Sequence, residues 1–126
     1  MLHSVLQKMD SVLHFDEAKA HCDIPCGIYD PHQAQVAALT VIRMVDLMTE
    51  LDAAPKSSNL EYHNSVSRYI AVKEEHAELC KREIRVIFGD YMKKEHIDKY
   101  PELPWLVHKI MQAGSKARQT ASRETA

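Results

Sequence analysis

Glycine is scarce in this 126-residue chain, with only three. Together with a hydrophobic content of 45%, that scarcity excludes a disordered or glycine-rich chain and suits a compact helical domain. No apolar run approaches the roughly 20 residues that a bilayer-spanning helix needs, so a soluble chain is expected, with no membrane partner. Positive charge is not in excess either. The 16 Lys and Arg stand against 18 Asp and Glu, a net charge of −2, which offers no basic face for nucleic acid. Three cysteines, an odd number, do not make a disulfide framework. At this length a single domain is expected.

What is present is concentrated in His21-Cys22-Asp23-Ile24-Pro25-Cys26-Gly27-Ile28-Tyr29. Cys80 sits in an apolar setting beside Leu79 and ahead of Ile84, and reads as a buried structural thiol. Cys22 and Cys26 are different. Pro25 lacks an amide donor and clashes with a preceding helical turn, so these two cysteines cannot lie one turn apart on a helix. The segment must curl, bringing two thiolates and an imidazole together. Sulfur with nitrogen selects a late first-row metal, and a flat N/S set suits Ni(II) or Cu(II) more than Zn(II). Two rival readings stand beside a redox metal site. One is a zinc- or copper-binding helical module using His21, Cys22, Cys26 and a further residue such as His32, although a structural zinc site needs four ligands and three are evident. The other is a helical interaction protein with incidental cysteines.

The nine-residue string resembles the amino-terminal metal hook of the nickel-containing superoxide dismutases, which reads His-Cys-Asp-x-Pro-Cys-Gly-x-Tyr. Asp30-Pro31 continue the likeness. It runs on more weakly through Arg68–Leu79, Gly89-Asp90-Tyr91 and Lys99-Tyr100-Pro101-Glu102-Leu103. The resemblance implies an all-α fold, an antiparallel up-down bundle of the four-helix type with an irregular amino-terminal hook. Here its last helix is expected to be missing. It also implies one nickel per chain, cycling between Ni(II) and Ni(III) while superoxide becomes dioxygen and hydrogen peroxide. The ligands carried over are His21, Cys22 and Cys26: the His21 α-amine, the Cys22 backbone nitrogen, two thiolates and the axial His21 ring. Tyr29 is the catalytic candidate, orienting the anion and relaying a proton through water; its alternative is a packing residue that closes the hook. Asp23 braces the loop by bonding nearby amides. Pro25 follows a peptide bond that is cis in the family fold. Some relatives hold the axial imidazole with a glutamate at the position of Ala37 and an arginine at that of His76. Ala37 cannot accept a hydrogen bond, which leaves His76 as the partial substitute. Tyr91 matches a tyrosine near the substrate channel. A homohexamer in the cytoplasm is implied as well.

Residues 1–20 carry Leu2, Val5, Leu6, Met9, Val12 and Leu13 at helical spacing. Gln7, Lys8, Asp10 and Ser11 interrupt any secretory core, so from the pattern alone this is an amphipathic helix. The resemblance makes it a leader removed by a dedicated peptidase at Ala20–His21. Its loss takes two basic and three acidic residues, leaving 14 against 15 (16 − 2 and 18 − 3), so steering of superoxide falls to local lysines.

Residues 21–29 form the hook and 30–118 the helical bundle. Asp30 is expected as N-cap, with Pro31 at N1 and Gln33 at N3. A helix with a wide apolar face follows, carrying Ala34, Ala38, Val41, Ile42, Val45, Met48 and Leu51, with Leu39, Met44 and Leu47 beside them. A second helix spans about Leu60 to Phe88, with Val66, Ile70, Ala77, Cys80, Ile84 and Ile87 inward and a Glu78–Arg82 pair outside. Gly89 is expected to end it. A third helix starts near Pro104. Fraying is expected from Gly114 onward, and residues 119–126 read as a polar tail.

Overall fold

Asp30 turns the chain into the first helix of the described residues. Its Oδ1 accepts the His32 N–H at 2.7 Å, and Pro31, with φ −74°, already has a helical backbone angle. Helix α1 then runs His32–Ala53. The expected start lies one residue early: Pro31 occupies the N-cap position, and Asp30 acts from just outside the helix. The computed structural model describes residues 27–54 and 58–126. Helix α2 spans Asn59–Val86 and opens on Ser58, whose hydroxyl accepts the Glu61 N–H at 3.2 Å. A π-helical turn, Ile87–Tyr91, follows. Then come the short α3, Lys94–Lys99, and α4, Leu103–Gln119, with Pro104 in its first turn. The described residues form an all-α structure with no strand among them.

Helix α1 packs on α2, and α4 packs on α2 as well. The first pair is antiparallel. Tyr62 near the start of α2 donates its hydroxyl to Asp52 near the end of α1, at 3.2 Å. Helix α1 buries Ala34, Ala37, Val41, Val45 and Met48, a stripe at helical spacing. Ala37 takes the buried position expected for Ala38, and Leu39 is 65% exposed. On α2 the inward residues are Lys73, Ala77 and Glu83. Ile70, expected inside, is 44% exposed. Val41, Ala77 and Ala117 make the central contact between the three long helices. These side chains are small, so the backbones approach closely. Gly114 lies at a close approach: a Cβ there would lie 2.8 Å from Cγ of Lys81.

Four further expectations are corrected. Arg82 pairs with its buried neighbour Glu83 at 3.2 Å, while Glu78 pairs with Arg85 at 2.8 Å and Arg118 at 3.1 Å. Those arginines hold the Glu78 carboxyl below its ordinary range. Gly89 does not end the second helix, because helical turning persists to Tyr91 and the backbone becomes extended only at Met92. Helix α3 had no counterpart in the expectation. Fraying after Gly114 is also absent: α4 continues to Gln119, and the polar tail beyond it is docked. Arg123 forms an ion pair with Asp46, and Ala126 packs against the Val41–Ala77–Ala117 cluster.

Lys73 explains why α4 holds its last turn. A helix leaves its final carbonyls without partners. The Lys73 ammonium, on a residue only 3% exposed, donates to Ala117 O at 2.7 Å, Arg118 O at 2.7 Å and Thr120 O at 2.6 Å. A cation at this end also complements the helix dipole. Burial pushes the ammonium below the ordinary lysine value, a cost that the carbonyls offset. Lys73→Met keeps the apolar stem and removes the donors. It should lower unfolding free energy by about 2 kcal/mol and raise amide exchange across residues 116–126. Urea denaturation with hydrogen exchange measures both, and unchanged values would remove Lys73 from this role.

Candidate metal centre and its tyrosines

Residues His21, Cys22, Asp23, Pro25 and Cys26, along with the expected cis bond before Pro25, lie outside the described residues. The structure takes up the chain at Gly27, one peptide bond beyond Cys26. Gly27 has φ +72°, in the left-handed region where a side chain would be strained. Nothing lies within 4 Å of a Cβ built there, so the backbone angle, not crowding, calls for glycine. The chain leaves the cysteine pair through a turn and reaches Tyr29.

Tyr29 is half-buried, and its ring lies 5.5 Å from that of Tyr91 at an interplanar angle of 45°. This tilted approach is within the favourable range for aromatic pairs. Tyr91 is 46% exposed and meets a second ring, His96, at 5.3 Å and 33°. The antiparallel helix pair accounts for the meeting: Tyr29 precedes α1, Tyr91 closes the π turn after α2, and His96 sits on α3. The sequence singles out Tyr29 and Tyr91, whereas His96 is set aside because it shows no ligand spacing. The signal available was its place three residues after Lys93, where a side chain can reach back to a helix start.

His76 is half-buried on α2. Its Nδ1 donates to Val72 O of its own helix at 2.9 Å, which leaves Nε2 as the acceptor of a neutral ring. Ala37, the position it was expected to compensate, is 1% exposed. Cys80 is half-buried and free, and burial raises its thiol above the ordinary cysteine value. It lines an apolar pocket of about 170 Å³ with Ala38, Val41, Ala77, Ile110 and Ala117. Apolar surroundings of this kind are those of structural, not reactive, thiols. Among the described residues no group of three or more His, Cys, Asp or Glu side chains is arranged to hold a metal. Donors of the right chemistry are His21, Cys22 and Cys26: two thiols that ionise and an imidazole within six positions, a set that fits nickel.

Over most of its length the chain is similar to known proteins. The family model described as nickel-containing superoxide dismutase matches residues 16–126. The chain is 36% identical over 109 residues to the nickel superoxide dismutase of Streptomyces seoulensis, covering 86% of this chain and 76% of that one. It is 39% identical over 99 residues to the Streptomyces coelicolor protein, with 79% and 69% covered. A native nickel superoxide dismutase structure at 1.30 Å superposes with a TM-score of 0.71 at 35% identity, covering 83% of each chain. A structure with nickel ligation of the oxidised state gives 0.71 at 36% identity, covering 83% and 82%. These matches lend no support to the zinc or copper module.

The ring contact has a measurable consequence. Tyr91→Leu should cost about 1 kcal/mol of stability, whereas Tyr91→Phe should stay within about 0.5 kcal/mol. Equal losses in urea denaturation would show that the ring contact carries no weight.

Proposed function

The chain belongs to the nickel-containing superoxide dismutase family, and we propose that His21, Cys22 and Cys26 hold its nickel. Its reaction is the nickel-dependent conversion of superoxide to dioxygen and hydrogen peroxide. The observation that carries the ligand reading is the unbroken string from His21 to Tyr29, joined at Gly27 to the Tyr29–Tyr91 pair. When bound, the nickel supplies one-electron chemistry between Ni(II) and Ni(III), a couple that thiolate and amidate donors bring into reach.

The protein's own groups do the rest. Cys22 and Cys26 give up their thiol protons, so loading of the site falls with acidity. His21 adds its ring, and once residues 1–20 are removed by a leader peptidase it also adds a free α-amine. Asp23 bonds amides of its loop and Pro25 stiffens the turn. Reduction of superoxide to hydrogen peroxide consumes two protons, and Tyr29 orients the anion and relays one of them through water. Tyr91 packs against that ring, and His76, whose Nδ1 is taken by Val72 O, is the candidate to brace the His21 imidazole. In a single chain Leu39 is 65% exposed and Trp105 59% exposed. Apolar side chains of that size suit self-association, and a homohexamer is the assembly proposed. Among the described residues no helix is long and apolar enough to cross a membrane; a cytoplasmic location belongs to the proposal.

Two experiments test this reading. Cys22→Ser or Cys26→Ser should lose nickel and dismutation together, measured by metal analysis and pulse radiolysis; full activity in either variant contradicts the ligand set. In the processed form, one Ala inserted ahead of His21 converts the α-amine into a peptide nitrogen with little added bulk. Activity should fall to background. Wild-type rates would mean that the amine is not a ligand and that removing the leader serves another purpose.

A further inference from the structure

Helix α3 is six residues long, far below the length at which a helix holds itself together. Its start is fixed by His96 at the third helical position. There Nδ1 accepts the backbone N–H of Lys93 at 2.9 Å, the task that Glu or Gln performs in a capping box. A ring that accepts through Nδ1 carries its neutral-state proton on Nε2, and its plane is set by the bond. The turn before it is tied as well, because Lys93 Nζ donates to Asp90 O at 2.7 Å. The same imidazole stands 5.3 Å from the Tyr91 ring.

Tyr91 needs that support. It is 46% exposed, so no closed core dictates its ring orientation, and the rings beside it are Tyr29 and His96. Lys93 N–H fixes His96, His96 backs Tyr91, and Tyr91 meets Tyr29. We propose that His96 is a positioning residue for the dismutation reaction, holding Tyr91 so that Tyr29 keeps its place beside the metal hook. This rests on the role proposed above for Tyr29. His96 touches neither substrate nor metal in this account and acts only through the two tyrosines.

Two variants separate the ring from the cap. His96→Gln keeps an acceptor for the Lys93 N–H and removes the ring; His96→Phe keeps the ring and removes the acceptor. In nickel-free processed protein, His96→Gln should shift the NMR ring resonances of Tyr91 and Tyr29 while leaving far-ultraviolet circular dichroism unchanged. In the nickel-loaded enzyme it should retain wild-type metal content and lose dismutation on the order of tenfold. His96→Phe should restore the ring shifts and most of the rate. Unshifted rings in His96→Gln would overturn the proposal, as would shifted rings with an undiminished rate, or a rate that falls only in step with lost nickel. A loaded wild-type enzyme without dismutation would count against the function instead, since the ring shifts of nickel-free protein report the contact by themselves.

Discussion

Antiparallel packing of α1 on α2 sets the start of one helix beside the end of the other, and in that corner Tyr29 meets Tyr91. Helix α1 has 22 residues, a rod of about 33 Å, so the hairpin connecting it to α2 lies far from the tyrosines. The connection and the site are therefore at opposite ends of the pair. What keeps the helices in register is a contact among small residues, Val41, Ala77 and Ala117, and small residues tolerate little displacement before packing is lost.

A buried ammonium secures the third long helix. Lys73 reaches carbonyls 44 to 47 positions away, and in doing so it closes the open end of α4 over the core. The tail then returns across α1 through Arg123 and Asp46, whose carboxyl the guanidinium holds below its ordinary range. In this arrangement the Val41–Ala77–Ala117 contact is apolar, while charge appears both as the buried Lys73 and Glu83 and as ion pairs at the edges. The donor chemistry is kept apart on a short segment ahead of α1, and Cys80, the one cysteine among the described residues, stays protonated inside the bundle.

How much of this was legible in the sequence follows from how local each feature is. The hook string carries its chemistry in consecutive residues, so spacing and proline geometry were enough to single it out. The stripe of α1 is likewise local, and four of its five buried residues stood in the expected set. Lys73 was not legible, since a lysine on a polar helix normally belongs in water and its carbonyl partners lie in another helix. Helix α3 is too short for periodicity to register, and His96 was set aside because it shows no ligand spacing. Gly114 looked like a helix end but marks a close crossing with Lys81. Leu39 and Ile70 looked like core, yet both face outward.

The central claim is that Cys22 and Cys26 supply sulfur to the nickel of this chain. X-ray absorption at the nickel K-edge, recorded on protein processed at Ala20–His21, tests it most directly. The account predicts two sulfur scatterers in the first coordination shell, with nitrogen donors completing it. A shell made of nitrogen and oxygen alone would contradict it.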